Sequence, residues 1–290
     1  NTYSTKMYYM LDIGKFREQL LDRLSWSSDE HEYRQENCID DFISMCFFVG
    51  NDFLPTIPTI AILEHGIDIM IDIYKEIAKT YGHLTSHKDN NSIIIRPHAF
   101  AAFIRTVSSN EQELLETKQS QREKYFQDDL LNKYTTTDGV VKFDDYREAY
   151  YKKHFPNKTI NEVCNEYLTG VQWVSHYYKY GIPDWGWHYP YFYGPFLCDL
   201  AKYCELYNNT KFVIGKPVEL FLQLLCVVPP KSNNLLPTAI QSVMSIDKLK
   251  DYFCDRIEID LSGKRREWEG LVKMKMIDIK EVGSYYNRYI

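Results

Sequence analysis

Apolar residues recur at helical spacing through most of the chain. Ile39, Phe42, Ile43, Cys46 and Phe47 fall on one face of a 3.6-residue period, which predicts a helix there. Ile60, Leu63, Ile67, Met70, Ile71, Tyr74, Ile77 and Ala78 repeat the pattern, opened by Pro58 and Thr59 and ended by Gly82 and the polar stretch 87–92. Ile93-Ile94-Ile95 reads as extended, and a helix is expected over 97–107. The longest stripe runs through Ile160, Val163, Cys164, Tyr167, Leu168, Val171, Val174 and Tyr178, and Gly181 and Pro183 stop it. Leu197, Leu200, Ala201 and Cys204 predict another helix, and 218–227 a short buried one closed by Pro229-Pro230. Residues 108–133 are polar and charged, the pattern of a solvated helix, a projecting arm or a linker. Residues 146–153 read as an exposed helix. Alternation from Arg256 to Leu261 predicts a strand, with Ser262-Gly263 as its turn, before a mixed, basic tail. The expected fold is mainly α with minor β. Three segments follow from the pattern: helical 1–107, a charged arm or linker over 108–158, and helical 159–290.

Composition narrows the class. The 290 residues are 44% apolar and 15% aromatic, too apolar for a disordered chain. No apolar run approaches the roughly 20 residues that span a bilayer, so no membrane partner is expected. The seven cysteines, Cys38, Cys46, Cys164, Cys198, Cys204, Cys226 and Cys254, include no CxxC pair, which favours reduced thiols and an intracellular setting, cytoplasm or nucleus. The chain opens on Asn1 with nothing resembling a secretory signal, as a processed or fragmentary chain would. With 34 Lys+Arg against 40 Asp+Glu, the net charge of -6 argues against coating nucleic acid with the whole surface, and leaves room for a local basic groove.

Three stretches escape periodicity. In Phe48-Val49-Gly50-Asn51-Asp52-Phe53-Leu54-Pro55 an apolar helix ends, two turn-forming residues follow, and a carboxylate is set rigidly at the rim of a core helix. Such placement suits a divalent-cation ligand. On spacing alone, a turn in which Asp52 accepts backbone N–H bonds is the stronger reading. For Asp40 and Asp41, near the start of that helix, interaction with the helix dipole is expected. In Trp185-Gly186-Trp187-His188-Tyr189-Pro190-Tyr191-Phe192-Tyr193-Gly194-Pro195, glycine and proline forbid a regular helix. The rings either plug a core or are presented to a ligand such as a nucleobase. Gly215-Lys216-Pro217 lacks the glycine pattern of a phosphate loop and reads as a turn. The eight histidines are scattered, and none is assigned a catalytic role.

In order along the chain, these stretches resemble the XRN family of 5′→3′ exoribonucleases. Ile39-Asp40-Asp41-Phe42-Ile43 leads into Cys46-Phe47-Phe48-Val49-Gly50-Asn51-Asp52-Phe53-Leu54-Pro55. Gly170-Val171-Gln172-Trp173, Gly181-Ile182-Pro183, Trp185-Gly186-Trp187 and Tyr189-Pro190-Tyr191 follow. Leu235-Leu236-Pro237, Ile259-Asp260-Leu261-Ser262-Gly263-Lys264 and Glu267-Trp268-Glu269-Gly270 complete the series. The resemblance spans 39–278 and is weak between about Ser108 and Lys158.

The family's catalytic core has two conserved regions, and this chain resembles the second. The resemblance therefore implies the helical second half of an α/β nuclease core whose sheet comes mainly from the first. It implies an active site similar to that of flap endonucleases, an acidic cluster holding two Mg²⁺ or Mn²⁺ ions, with Asp52 as one ligand and most ligands outside this chain. It implies that Trp185 or Trp187 stacks on the bases of single-stranded RNA bearing a 5′-monophosphate. Phe192 stands where the family usually has His, keeping the ring and losing the polar tip. The implied reaction is processive two-metal hydrolysis with release of mononucleotides. The isolated chain is expected to be inactive and to need the first conserved region, in cis or in trans. A non-catalytic relative that binds RNA or serves assembly is the alternative; a flap-endonuclease-like DNA enzyme fits the tryptophan motif less well.

Overall fold

Asp12 opens the first described helix: its carboxylate accepts the Lys15 N–H, and α1 runs Ile13–Leu24. The computed structural model describes residues 8–60, 66–88, 92–254 and 257–289, so Leu63, residues 89–91 and Arg256 of the expectations above lie outside it. Sequence pattern did not identify α1, whose Ile13 and Phe16 are exposed and whose Leu24 alone is fully buried. α2 (Gln35–Cys46) tightens into a 3₁₀ turn over Phe47–Val49. Pro58 and Thr59 form a turn rather than a helix start, and the next described helix, α3, spans Gly66–Tyr81. A hairpin of β1 (Thr85–Lys88) and β2 (Ser92–Ile95) follows, in antiparallel register with Thr85 opposite Ile95. α4 (Pro97–Ser108) carries proline in its first turn, where the missing N–H is harmless.

Asp40 and Asp41 do not serve the helix dipole. α2 begins at Gln35, so both lie beyond its first turn, and both are buried. Asp40 pairs with Lys179 (2.6 Å) and His87 (2.8 Å). Asp41 accepts four hydrogen bonds, from the Thr85 N–H (2.7 Å) and hydroxyl (2.6 Å), the Tyr74 hydroxyl (2.9 Å) and His83 Nδ1 (2.9 Å). They tie α2 to Lys179 of a later helix and to the helix and strand that follow α2.

The charged stretch packs rather than projects. α5 (Glu111–Ser120) buries Glu111, Leu115 and Gln119, one turn apart, and α6 (Asp129–Lys133) buries Leu131. Glu111 accepts from the Thr59 hydroxyl and from the N–H groups of Leu197 and Cys198, fastening α5 to the start of a later helix. Burial raises its pKa, and those N–H donors offset part of the rise. α7 (Phe143–His154) was expected to be exposed; instead Tyr146, Tyr150 and Tyr151 join Leu115, Leu131, Val163 and Phe196 in a second apolar cluster. α8 (Ile160–Tyr180) starts with a reciprocal Thr159–Glu162 capping box and threads the main core. α9 (Leu197–Cys204) packs on α4 and α8.

The remaining chain builds a third cluster. α10 (Leu220–Val227) is buried only through Leu222 and Leu225; Leu220, Phe221 and Val227 face outward, contrary to the buried helix expected there. α11 (Thr238–Gln241) and α12 (Ile279–Tyr286) join it. Between them, β3 (Glu258–Asp260) pairs antiparallel with β4 (Leu271–Lys273), confirming the strand expected near Ile259. The fold is mainly α with two small hairpins. Among the described residues, no helix is long and apolar enough to cross a membrane.

Candidate functional site

The Gly-Asn-Asp loop is clamped at several points. Gly50 adopts φ +88°, and a Cβ there would lie 2.6 Å from Thr56 Oγ1, so both backbone and space demand glycine. The Asn51 side-chain oxygen accepts the N–H groups of Phe53 (2.8 Å) and Leu54 (2.9 Å), and the Asn51 N–H donates to Leu54 O (3.0 Å). The Ile57 N–H returns to Phe48 O (2.9 Å) and the Thr56 hydroxyl to Val49 O (3.0 Å). Leu54 and Ile57 are buried beneath. The turn-forming role expected of Asp52 thus belongs to Asn51. Asp52 is exposed on the loop, and its carboxylate makes no hydrogen bond or ion pair with another described residue.

α8 brings this loop and the aromatic segment together. A Cβ at Gly170 would lie 2.4 Å from the Leu54 side chain and 2.9 Å from the Trp187 ring, so the missing side chain lets both seat on one helix turn. A Cβ at Gly194 would lie 3.0 Å from Thr56 O, which brings the other end of the segment against the loop. The Tyr167 hydroxyl, from α8, donates to Pro55 O (3.0 Å). Phe53 packs on Trp173 and Tyr177 at 5.1 Å each, and Trp173 lies 5.3 Å from Trp187, giving one continuous aromatic wall that starts at the residue after Asp52.

Trp185 and Trp187 separate cleanly. Trp185 is 44% exposed, with its backbone N–H held by Ile214 O (3.0 Å). Trp187 is half-buried in the wall. Its indole N–H and the Asn51 amide nitrogen are the two buried side-chain polar atoms without a hydrogen-bond partner among the described residues. Tyr193 donates to Asp260 (2.6 Å), linking the segment to β3. Against the upward push of burial, hydrogen bonds from Tyr193 and Ser262 hold the Asp260 carboxyl well below its ordinary range. The His154 ring packs against Tyr193, with centroids 3.8 Å apart, and burial pushes its pKa down to about 4.

Among the described residues, no three His, Cys, Asp or Glu side chains gather as a metal site. Asp52 fits as a single oxygen ligand on a fixed loop; a complete Mg²⁺ or Mn²⁺ shell needs further oxygens. Asn51 was read as turn-forming and Tyr167 as part of the apolar stripe; the seating role of Gly170 went unread, although a glycine inside an apolar helical stripe is a readable sign of close approach.

A family model described as the Xrn1 helical domain matches residues 32–142 and 127–284. The chain is 26% identical to the 5′-3′ exoribonuclease 1 of Homo sapiens, an alignment covering 95% of this chain and 19% of that protein. It is 25% identical to the 5′-3′ exoribonuclease 2 homolog of Drosophila melanogaster, covering 95% and 37% respectively. A shorter stretch, 46% of this chain, is 37% identical to part of the 5′-3′ exoribonuclease 2 of Schizosaccharomyces pombe and covers 14% of that protein. The chain thus spans well under half of these relatives. Its motifs, their order and the helical architecture that seats them agree with the match, and the chain belongs to the XRN family through its helical domain.

Proposed function

We propose that this chain is the helical part of a 5′→3′ exoribonuclease acting on single-stranded, 5′-monophosphorylated RNA, with the first conserved region completing its active site. The observation that carries this reading is the exposed carboxylate of Asp52, without a partner among the described residues, on a loop locked by Asn51 and packed through Phe53 against the aromatic wall. Bound Mg²⁺ or Mn²⁺ supplies charge neutralisation at the scissile phosphate and lowers the pKa of the attacking water. The chain's own part is positioning. The clamped loop fixes one ligand oxygen, and Trp185 offers a ring face on which bases stack to keep the strand in register. The buried donors of Asn51 and Trp187 await acceptors from the first region or the substrate. Processive release of mononucleotides follows from a strand held by stacking and hydrolysed only at its end.

The test is Mg²⁺-dependent degradation of 5′-monophosphorylated RNA beside 5′-flap DNA. Release of mononucleotides from the RNA is expected once the first conserved region is supplied, and none from the chain alone. Degradation by the chain alone, or a preference for flap DNA, defeats the reading. The stacking role has its own measurement. Trp185→Ala is expected to weaken single-stranded RNA binding by about 5- to 150-fold, the worth of one stacked base, with the thermal midpoint unchanged. Trp187→Ala is expected to lower that midpoint, because its ring fills the space over Gly170. Unchanged RNA affinity in Trp185→Ala removes Trp185 from the site.

A further inference from the structure

A cavity of about 430 Å³ lies where the charged stretch meets the C-terminal hairpin, within the size range of small-ligand sites. The segment before α6 and the turn after β3 close it through two backbone bonds. The Phe126 N–H donates to Lys264 O (2.7 Å), and the Gly263 N–H donates to Phe126 O (3.1 Å). Gly263 sits at φ +65°, and a Cβ there would lie 3.1 Å from Lys118 Nζ, so the turn leaves the ammonium room beside bare backbone. Asp128 and Glu123 also line the cavity; one Asp128 oxygen accepts the Leu131 N–H at the start of α6, and the other lies 3.6 Å from that same Cβ position, on the side of Lys118. Arg265 lies over the Tyr125 ring at 4.7 Å and donates to its hydroxyl (2.7 Å), which holds that ring in the wall. Phe126, 36% exposed, offers a second ring.

The polar wall is specific. Gln119 is 8% exposed, and its amide nitrogen donates to the Asn132 side-chain oxygen (2.6 Å). Among the described residues, the Gln119 side-chain oxygen and the Asn132 side-chain nitrogen make no hydrogen bond. One acceptor and one donor therefore sit beside each other on cavity-lining residues, fixed by the bond between the two amides. A paired acceptor and donor is what the hydrogen-bonding edge of a nucleobase requires. An aromatic ring supplies the stacking face.

We propose that this cavity binds one nucleotide through its base, stacked on Phe126 and with its edge read by Gln119 and Asn132. The site uses neither Asp52 nor Trp185, so it stands independently of the exonuclease reading. The nucleotide has two chemical sources, a free nucleoside monophosphate or a base of a bound RNA strand. Amide NMR spectra of the chain, titrated with the four nucleoside 5′-monophosphates, a ten-nucleotide single-stranded RNA and ribose 5-phosphate, decide between them. Saturable shifts at Phe126, Asn132 and Gly263 are expected with the mononucleotides or the RNA and not with ribose 5-phosphate. Shifts from mononucleotides identify a free-nucleotide site, and shifts from RNA alone identify a strand site. Phe126→Ala, at an exposed ring, and Asn132→Asp, which turns the donor into an acceptor at equal size, should each weaken this binding by about fivefold or more. Trp185→Ala should leave mononucleotide binding here unchanged. Absence of shifts at the three amides with both ligands overturns the proposal, as does an equal response to ribose 5-phosphate.

Discussion

With the first conserved region supplied, Asp52→Ala is expected to abolish exonuclease turnover while leaving the fold and most RNA binding intact. The two halves of this expectation rest on different features of one loop. Loss of groups that merely orient a metal's ligands typically costs about 10- to 100-fold in metal affinity or activity, and loss of a ligand itself should exceed that. Turnover should therefore fall by more than about 100-fold. Stability should hardly change, because the Asp52 carboxylate is exposed and makes no bond with another described residue. Surface substitutions of that kind stay within about 0.5 kcal/mol. Mononucleotide release at saturating RNA, measured beside the thermal midpoint, checks both halves. Turnover within threefold of the parent would exclude Asp52 from the metal site. A large drop in midpoint would mean that the loop depends on Asp52 in a way its hydrogen bonds do not express.

Legibility in the sequence followed the physics of each element. The α8 stripe was plain because its face is aliphatic and aromatic over five turns and its ends carry a Thr–Glu cap and Gly181-Ile182-Pro183. α7 misled because its buried positions are tyrosines at 146, 150 and 151, set among Asp144, Asp145, Arg147, Glu148, Lys152 and Lys153. A tyrosine counts as half-polar in a pattern but buries a large ring, and here the rings decide. α10 misled in the opposite sense. It is apolar at all but Gln223, yet only Leu222 and Leu225 are fully buried, with Leu224 and Cys226 partly covered, since apolar content does not dictate burial. The start of α2 was unreadable because Arg34, at the cap position, makes no side-chain capping bond; its guanidinium pairs with Glu32 instead. Asp40 and Asp41 were then read as lying near a helix start, whereas the helix begins at Gln35, five residues before Asp40. In the candidate site, the rigid turn at Gly50-Asn51 and the aromatic segment were legible as special. Which side chain closes the turn was not, because Asn51 and Asp52 are both competent acceptors, and only the loop's closure onto Leu54 distinguishes them. Nor could spacing tell the presented tryptophan from the packed one, because Gly170, which seats Trp187, lies on another element.

The largest loss of stability is expected from Asp41→Ala. Asp41 is fully buried, and its two oxygens take all four of the donors around them. His83 has no freedom to adjust. Its Nε2 accepts the Arg34 N–H (3.0 Å), so the ring proton must sit on Nδ1, pointing at Asp41. Removing the carboxylate leaves that N–H, the Tyr74 hydroxyl and the Thr85 N–H and hydroxyl facing a dry gap. A buried donor left unsatisfied costs about 1–3 kcal/mol, and four of them, after partial relaxation, should together cost about 3–5 kcal/mol. At a few degrees per kcal/mol for a domain of this size, the midpoint should fall by about 10 °C. Asp41→Asn separates charge from connectivity. One face of the amide still accepts from both Thr85 donors, but the other presents N–H to a histidine N–H. Relieving that clash requires the other tautomer and forfeits the Arg34 bond. Its loss should therefore be intermediate. Urea denaturation of the two variants gives the order, parent above Asn above Ala. A loss below about 1 kcal/mol in Asp41→Ala would mean that the network forms without its anion, since even one neutral hydrogen bond is worth that much. Because Asp41 lies two turns before the Gly-Asn-Asp loop on the same helix, the anchor that stabilises the core also fixes the helix from which Asp52 is presented.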